Sequence, residues 1–328
     1  MPSGERVPAA VVRAFVVLGW GVVALLAALV VVRAMGWDDR PLLIGLAAVS
    51  PLLFLLPYPV LLVAAVGARR WLAGSAIAGI VLHLLWFGAL LPFVHSDRSL
   101  PAGAVRVRVL SANLLYSNPR AAELASTVER TSPDLVALQE YTNRNGSRLA
   151  ATSALAAYPY RLLDPDGTAN GIALFSRFPF RDAQKVSIAG RKALRAVATT
   201  PVGPVTVVVV HTVAPVEGSA PDWEDELRAI ADLTHGVDGP LILTGDFNAT
   251  AGNRQLAHVA DRARVRDVLN ATGDGYAMTW PADHRVPPYI RPDHVFAGRG
   301  AVPLDGHAVT VPGSDHRGIV ADIGLGPA

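Results

Sequence analysis

Polar residues follow several hydrophobic, strand-like runs of this sequence. Asn113 follows Val105–Leu110, Glu140 follows Asp134–Leu138, His211 follows Val205–Val210, Asp246 and Asn248 follow Leu241–Leu243, and Asp293 and the pair Asp315-His316 lie near the end. In α/β proteins the active site is built from side chains at the carboxyl ends of buried strands. Carboxylates, amides and imidazoles without cysteine also suit a hard cation such as Mg²⁺. The pattern therefore predicts metal-assisted phosphoryl chemistry.

Strands and helices alternate along residues 105–328. Helices are predicted at Ala121–Thr131, Ser147–Ala157 and Pro221–Thr234, the last capped by Asp222. Besides the runs above, strands are predicted at Gly171–Phe175, Lys185–Ile188, Leu194–Thr199, Arg291–Phe296, Ala308–Val311 and Ile319–Ile323. A segment of this length can hold one sizeable core. The sequence predicts a single α/β domain here.

Two pairs of neighbouring residues call for particular backbone shapes. Asp246 and Asn248 alternate across Phe247, so an extended chain would point both side chains to one face. An Asx-turn at the strand end is the alternative reading of either residue. Asp315 and His316 are adjacent and can serve one site only if the backbone turns, which Gly313 and Gly318 would permit.

The six segments that carry the polar residues named at the start resemble, in their order and spacing, the endonuclease/exonuclease/phosphatase (DNase I-like) superfamily. Asp134–Glu140, Thr244–Asn248 and Ser314–His316 carry the resemblance, with support from Gly171–Pro179 and Thr279-Trp280-Pro281. It covers Val105–Ile323. The resemblance implies a two-sheet β-sandwich flanked by helices and a Mg²⁺- or Mn²⁺-dependent phosphoric ester hydrolase.

Roles for the site residues follow from the resemblance. Glu140 is implied as the principal metal ligand, with Asp315, and with Asn113 directly or through water. The catalytic set is implied to be His211, Asp246, Asn248, Asp293 and His316. Asp293 would orient His316, and Asn248 and His211 would donate to the phosphate. Whether Asp246 or His316 takes the proton of the attacking water stays open. The Val-Val-His-Thr sequence around His211 departs from the Asn-Thr-His of many relatives.

Three long uncharged runs precede the α/β segment, at Ala14–Val32, Pro41–Ala68 and Trp71–Ser96. A bilayer span needs roughly 20 apolar residues, and helices of soluble cores seldom run so long without a charge. The first run exceeds the ~7–15 residues of a signal-peptide core, so an uncleaved span is preferred. Three transmembrane helices are predicted, the second kinked or broken by its three prolines. Mid-span His83 is expected to bond a neighbouring helix.

The predicted organisation is a membrane domain at 1–98, a short linker at 99–104 and a catalytic domain at 105–328. Basic residues mark cytoplasmic loops. Arg6 and Arg13 precede the first span, and Arg69 and Arg70 separate the second from the third. This placement predicts a multi-pass cell-membrane protein whose catalytic domain is exterior.

The charge of the catalytic domain bears on its substrate. From Pro101 onwards the chain has 22 Lys+Arg and 23 Asp+Glu, a net charge of −1. Nucleic-acid binders usually carry a basic surplus, so nucleic acid is less expected as a partner. Membrane spans with an exported domain of this kind resemble the VanJ-type membrane proteins linked to glycopeptide-antibiotic resistance. That resemblance implies a lipid-linked phosphate or pyrophosphate.

Other functions remain open from the sequence. A membrane-anchored nuclease or a phospholipid phosphodiesterase would use the same residues. A non-catalytic sensor or adaptor is a further alternative, although such proteins usually lack some of the eight site residues. The sequence indicates a lipid bilayer as a partner, and no protein partner is inferred from it.

Overall fold

A computed structural model describes residues 8–37, 39–92, 99–100, 102–283 and 285–326. The chain divides into two compact units between Gly88 and Ala89. The amino-terminal unit is helical. Its helices are α1 (Ala9–Met35), α2 (Pro41–Leu53), α3 (Pro57–Val66) and α4 (Arg70–Phe87).

Two segments of the described chain are helices long and apolar enough to cross a membrane, Ala10–Met35 and Arg70–Leu90. The helices α2 and α3 would make a third span only if taken together, because they are bent by 55° where they meet. Pro57 begins α3, and Pro51 lies inside α2. Proline lacks the N–H of a helical hydrogen bond, so the break predicted for this run is confirmed.

His83 is a buried residue of α4 and contacts a neighbouring helix, as predicted. The Tyr58 hydroxyl of α3 lies 2.9 Å from His83 Nδ1. The pair gives two polar groups a partner within an apolar unit, where an unpaired polar group would be costly. Arg6, on which the predicted orientation partly depends, lies outside the described residues.

The second unit contains two six-stranded sheets within its described residues. The strands are β1 (Val105–Asn113), β2 (Leu135–Gln139), β3 (Tyr160–Asp164), β4 (Ile172–Ser176), β5 (Phe180–Ile188), β6 (Arg191–Thr200), β7 (Gly203–His211), β8 (Leu241–Asp246), β9 (Arg266–Asp267), β10 (Asp293–Ala297), β11 (Ala301–Thr310) and β12 (Arg317–Leu325). One sheet has the order β11-β12-β1-β2-β4-β3, the other β5-β6-β7-β8-β10-β9. Pairing is parallel for β1–β2 and β7–β8, which puts their carboxyl ends at the same sheet edges.

The central strands are buried on both faces, which is why their sequences are nearly continuous apolar runs. In β1, Val107 and Val109 join a core cluster made by strands of both sheets. Leu110 and Ala112 join a second cluster that includes residues of the helices on the outer face of that sheet. Successive side chains of a strand point to opposite faces, so odd-numbered positions of β1 face the other sheet.

The helices of this unit are α5 (Leu124–Thr131), α6 (Asn143–Ala150), α7 (Ser153–Ala156), α8 (Ala220–His235), α9 (Arg254–Ala263) and α10 (Val268–Thr272). The predicted helix Ser147–Ala157 is wrong in its bounds, since two short helices replace it. A capping box of Thr142 and Asn145 begins α6 earlier than predicted. The predicted cap by Asp222 is also wrong, because the cap position is Ser219 and Asp222 lies in the first turn.

An ion network that the sequence did not reveal holds β10 in place. Asp267 Oδ2 accepts hydrogen bonds from Arg291 Nη1 at 2.8 Å and pairs with His294 Nδ1 at 2.6 Å, and all three residues are buried. His294 Nε2 lies 2.9 Å from the Ala249 carbonyl. Burial alone would raise the pKa of Asp267, but the charge of Arg291 and the His294 contact hold it well below its usual range. The network ties β10 to the loop after β8.

Candidate active site

The carboxylate of Asp246 lies at the centre of a polar cluster. Its Oδ2 accepts a hydrogen bond from Asn113 Nδ2 at 3.0 Å and lies 3.7 Å from Nε2 of both His211 and His316. These four residues are at most 7% exposed. A buried carboxylate is stable only when hydrogen-bonded or paired, and these contacts supply that need.

Strand periodicity explains why these side chains meet. Val107 and Val109 of β1, Val207 and Val209 of β7, Ile242 of β8 and Val295 of β10 face the core between the sheets. Asn113, His211, Asp246 and Asp293 lie an even number of residues away on the same strands. They therefore continue the inward-facing rows. The apolar core between the sheets gives way to the polar cluster at this edge.

Glu140 does not follow that periodicity and reaches the cluster by another route. Leu135 and Ala137 face the inter-sheet core, so an extended chain would turn Glu140 to the opposite face. Its φ of 54° instead places its backbone in the left-handed region. Glu140 Oε1 accepts from Asn113 Nδ2 at 3.1 Å, and Oε2 accepts from the Tyr116 N–H at 2.8 Å. Asn113 thus bridges Glu140 and Asp246.

His316 and Asp293 form a buried imidazole–carboxylate pair. His316 Nδ1 lies 2.9 Å from Asp293 Oδ2, which also accepts from the Thr279 hydroxyl at 2.6 Å. The other nitrogen of the ring, Nε2, is left to face Asp246. The pair fixes the orientation of the imidazole, as carboxylates do in many hydrolases.

Asn248 lies beside Asp246, but not in the predicted way. Strand β8 ends at Asp246, and Asn248 has φ 46°, so the stretch is not extended. The Asn248 N–H donates to Asp246 Oδ1 at 2.9 Å, which is the Asx-type turn considered as an alternative. Its side-chain amide donates to the Thr212 carbonyl at 2.9 Å.

Asp315 is half-buried and its Oδ2 lies 3.3 Å from Trp280 Nε1, a marginal hydrogen bond. Trp280, Thr279 and Tyr116 were not among the predicted site residues. The first two lie within the family-like Thr-Trp-Pro stretch, which was the available signal; the Tyr116 N–H contact had none. His294 belongs to the Asp267 network and not to the cluster.

One position in strand β8, next to the site, requires glycine. Gly245 has φ 145°, and a Cβ there would lie 1.9 Å from the Val210 carbonyl oxygen of β7. Any larger residue would push β7 and β8 apart directly below His211 and Asp246. Gly245 is therefore part of the geometry that brings the His211 and Asp246 side chains together.

The protonation states of the cluster are set by burial and by neighbouring charge. Burial holds the pKa of His211 below its usual value, so this ring is neutral at pH 7. Burial would lower the pKa of His316 too, but Asp293 and Asp246 raise it to about 10. Burial would raise the pKa of Asp246, and His316 and His211 reverse this to a net lowering. Neutral His211, cationic His316 and anionic Asp246 therefore coexist.

The donor chemistry of the cluster fits a divalent cation. Asp246, Asp293 and His316 offer ligand atoms within 4.8 Å of one another. Asp293 Oδ1 is buried and accepts no hydrogen bond from the described residues. Burial raises the pKa of Glu140, whose carboxylate a cation would stabilise. This group differs from the predicted ligands Asn113, Glu140 and Asp315, although Asn113 connects the two sets.

Comparison with known proteins places this geometry in a family. A model of the endonuclease/exonuclease/phosphatase family matches residues 110–316, whereas no curated protein matches the chain. A humanized TDP2 from D. rerio is 19% identical, with a TM-score of 0.58 over 66% of this chain and 98% of that one.

Two bacterial structures are similar to the same extent. The endonuclease/exonuclease/phosphatase from Beutenbergia cavernae is 22% identical, with a TM-score of 0.53 over 67% of this chain and 72% of that one. The 3′ phosphatase NExo from Neisseria, bound to a product DNA hairpin, is 18% identical, with a TM-score of 0.55 over 66% and 98%. Such identities establish the fold alone. Because the family model spans more than half of the sequence, the chain belongs to the endonuclease/exonuclease/phosphatase family.

Proposed function

We propose that this chain hydrolyses a phosphate or pyrophosphate ester that is linked to a lipid and exposed outside the cell membrane. Membership of the family indicates a phosphoric ester hydrolase or nuclease. The observation that carries a catalytic function is the convergence of Asn113, His211 and His316 on one buried Asp246 carboxylate. A carboxylate with a donor on each side can hold water against an anionic phosphoryl group.

In this proposal Asp246 orients the attacking water and accepts its proton. Its pKa is lowered by His316 and His211, so it is ionised and able to act as a base. His316 is held protonated between Asp293 and Asp246 and therefore acts as a donor to a phosphoryl oxygen rather than as the base.

His211 and Asn248 complete the oxygen-binding side of the site. His211 is neutral, and its Nε2 faces Asp246 and the space beside it. The Asn248 amide nitrogen is already bonded to the Thr212 carbonyl, so its second N–H is the one left to donate to phosphate. Fixed donors aimed at developing negative charge are a large source of catalysis in phosphoryl transfer.

A divalent cation, Mg²⁺ or Mn²⁺, would be held by Glu140 and Asp315 with Asn113, the set that the family resemblance implies. When bound, such a cation polarises a phosphoryl oxygen and offsets the charge of the surrounding carboxylates. The tighter group of Asp246, Asp293 and His316 is the alternative holder, and a cation bound there would have to displace the proton of His316.

The substrate class rests on the amino-terminal unit. Its helices are long and apolar enough for two spans, or three with the bent pair, which fits a membrane protein. The catalytic residues begin at Asn113, a short distance along the chain from the last apolar helix. An active site tethered to a bilayer meets lipid-borne phosphates at high effective concentration. Arginines at positions 13, 69 and 70 favour an exterior domain.

A nuclease is the second candidate function. A TDP2 from D. rerio was solved with single-stranded DNA product, and NExo with a DNA hairpin. Against a nuclease, the domain from Pro101 onwards has a net charge of −1. Diffusing polyanions gain no attraction from a slightly acidic domain. A non-catalytic adaptor is less consistent with the chain, since all eight residues that the family resemblance implies are present.

We predict that hydrolysis requires a divalent cation. Chelator should abolish phosphate release, and added Mg²⁺ or Mn²⁺ should restore it. Glu140→Gln should raise the Mg²⁺ concentration for half-maximal activity at least tenfold, since it removes a charged oxygen ligand. If Asp293→Asn raises this Mg²⁺ concentration and Glu140→Gln does not, the cation is held by the group of Asp246, Asp293 and His316. Full activity in chelator would contradict metal dependence altogether.

We predict that the Asp246 and His316 side chains are catalytic. Asp246→Asn and His316→Ala should each lower kcat by about 10²–10⁴-fold, the scale of a lost acid–base group. Asp225→Asn and His307→Ala are matched controls, because both residues are exposed and lie outside the cluster. Near-normal turnover in either cluster variant, with the controls unaffected, would remove that residue from the mechanism.

We predict that the catalytic domain is exterior. Protease added to intact cells stripped of their wall should digest the chain beyond residue 96 and leave the apolar helices in the membrane. A cytoplasmic marker protein should stay intact as the control. If the domain is digested only after lysis, the orientation is reversed.

We predict that lipid pyrophosphates are hydrolysed far faster than DNA. The screen measures phosphate release from polyprenyl pyrophosphate, phospholipids, nucleotides and DNA. A fragment beginning near Pro101 should keep activity on a short-chain soluble analogue and lose it on bilayer-embedded substrate. Salt-sensitive cleavage of DNA by that fragment, without action on lipid pyrophosphates, would establish the nuclease instead.

A further inference from the structure

A groove of about 400 Å³ lies beside the catalytic cluster and shares His316 with it. Its lining includes two arginines, Arg120 and Arg317, and one carboxylate residue, Asp283, besides Thr310 and Gly313. The two arginines come from parts of the chain far apart in sequence. In a domain without a basic surplus, two guanidinium groups in one groove next to a phosphohydrolase centre point to an anion.

Arg317 is fixed at the start of β12. It pairs with Thr310 across the β11–β12 ladder, and its N–H donates to the Thr279 carbonyl at 2.8 Å. Thr279 in turn bonds Asp293 through its hydroxyl. Within the described part of the chain, the guanidinium of exposed Arg317 has no hydrogen-bond or ion-pair partner. Its donors are available to a ligand while its backbone is anchored to the catalytic cluster.

Arg120 is brought to the groove by Asn118. The Asn118 side chain accepts from the Arg120 N–H at 2.8 Å and donates to the Pro312 carbonyl at 2.9 Å. Gly313 has φ 77°, and a Cβ there would lie 2.3 Å from Asn118 Oδ1 and 3.0 Å from Arg120 Cβ. Glycine at this position therefore allows the loop carrying Arg120 to approach the groove.

Glu123 is the present partner of Arg120. Their two hydrogen bonds measure 2.8 and 2.7 Å, but the side chains are 58% and 52% exposed. An exposed pair of this kind contributes little stability. A phosphate, which accepts from arginine in the same bidentate geometry, can replace Glu123 at small cost.

We propose that this groove binds, through Arg317 and Arg120, the substrate phosphate that is not attacked, so that the enzyme selects diphosphate esters over monophosphate esters. The inference rests on the proposed phosphohydrolase function. It specifies which of the two ester classes the site takes. His316 lines the groove and also lies 3.7 Å from Asp246 Oδ2, and the two phosphates of a diphosphate are directly linked.

Binding of inorganic pyrophosphate to the full-length protein in detergent tests this assignment, with calorimetry in chelator as the measurement. Without a cation the central carboxylates repel anions, so binding reports on the groove. Arg317→Gln should weaken the affinity about tenfold or more, the scale of a lost charge-assisted hydrogen bond. Glu123→Gln should strengthen it up to about fivefold by removing the competitor of the ligand. Arg181→Gln, at an exposed arginine outside the groove, should change nothing.

The opposite changes in affinity expected for Arg317→Gln and Glu123→Gln distinguish phosphate recognition from a merely structural role, because damage to the fold would weaken binding in both variants. Absence of pyrophosphate binding in the unaltered protein would overturn the proposal. So would equal affinity in Arg317→Gln and Arg181→Gln, or a loss of affinity in Glu123→Gln.

Kinetics with paired esters separates this inference from the proposed function. For a diphosphate and a monophosphate of the same alcohol, Arg317→Gln should lower the ratio of their kcat/KM values about tenfold. Hydrolysis of both esters with an unchanged ratio would refute the groove and keep the phosphohydrolase. If the unaltered protein hydrolyses neither ester, the proposed function is refuted. The pyrophosphate binding measured by calorimetry then still tests the groove.

The ratio of kcat/KM for diphosphate and monophosphate can also be measured for a prenyl ester in vesicles and for a nucleoside ester. The comparison distinguishes a lipid substrate from a soluble one. Arg317 should matter for both, since it contacts phosphate, and the lipid should have the lower KM. An effect confined to the nucleoside diphosphate would assign Arg317 to the nucleoside and overturn the proposal.

Discussion

The buried carboxylate of Asp246 is the interaction on which the site depends. It is 1% exposed and cannot be left without partners, because an uncompensated buried charge is strongly destabilising. Asn113, His211, His316 and the Asn248 N–H supply those partners from four different segments. The same contacts that stabilise the charge also bring the chemically active groups together. Structure and chemistry thus impose a single requirement on these residues.

Much of this arrangement could be predicted from the sequence because strands have a simple period. Long valine and leucine runs predicted buried strands, and a polar residue in step with the inward face of such a run falls at the site. Asn113, His211 and Asp246 obey this rule. The family resemblance rested on the same segments, and the family model confirms it over residues 110–316. The roles and the ligand set remain predictions.

The rest could not be predicted because it depends on local backbone shape and on distant contacts. The left-handed φ of Glu140 and Asn248 has no signature in a run of apolar letters, so Asn248 was wrongly expected in an extended stretch. The half-exposed edge strand β3 and the short helix α10 carry too few apolar residues to show a period. The Asp267–Arg291–His294 network joins residues up to 27 positions apart. Likewise, hydropathy could not determine whether the bent α2–α3 pair counts as one span.

The alternation of inward and outward rows also limits how this sequence can change over evolution. A one-residue insertion or deletion within β1, β7 or β8 would exchange the two faces beyond that point. Asn113, His211 or Asp246 would then project away from the inter-sheet core, even if every residue were retained. Length variation in this lineage should consequently accumulate in loops or appear as compensated bulges, and the residue count of each central strand should be inherited as strictly as the catalytic residues themselves.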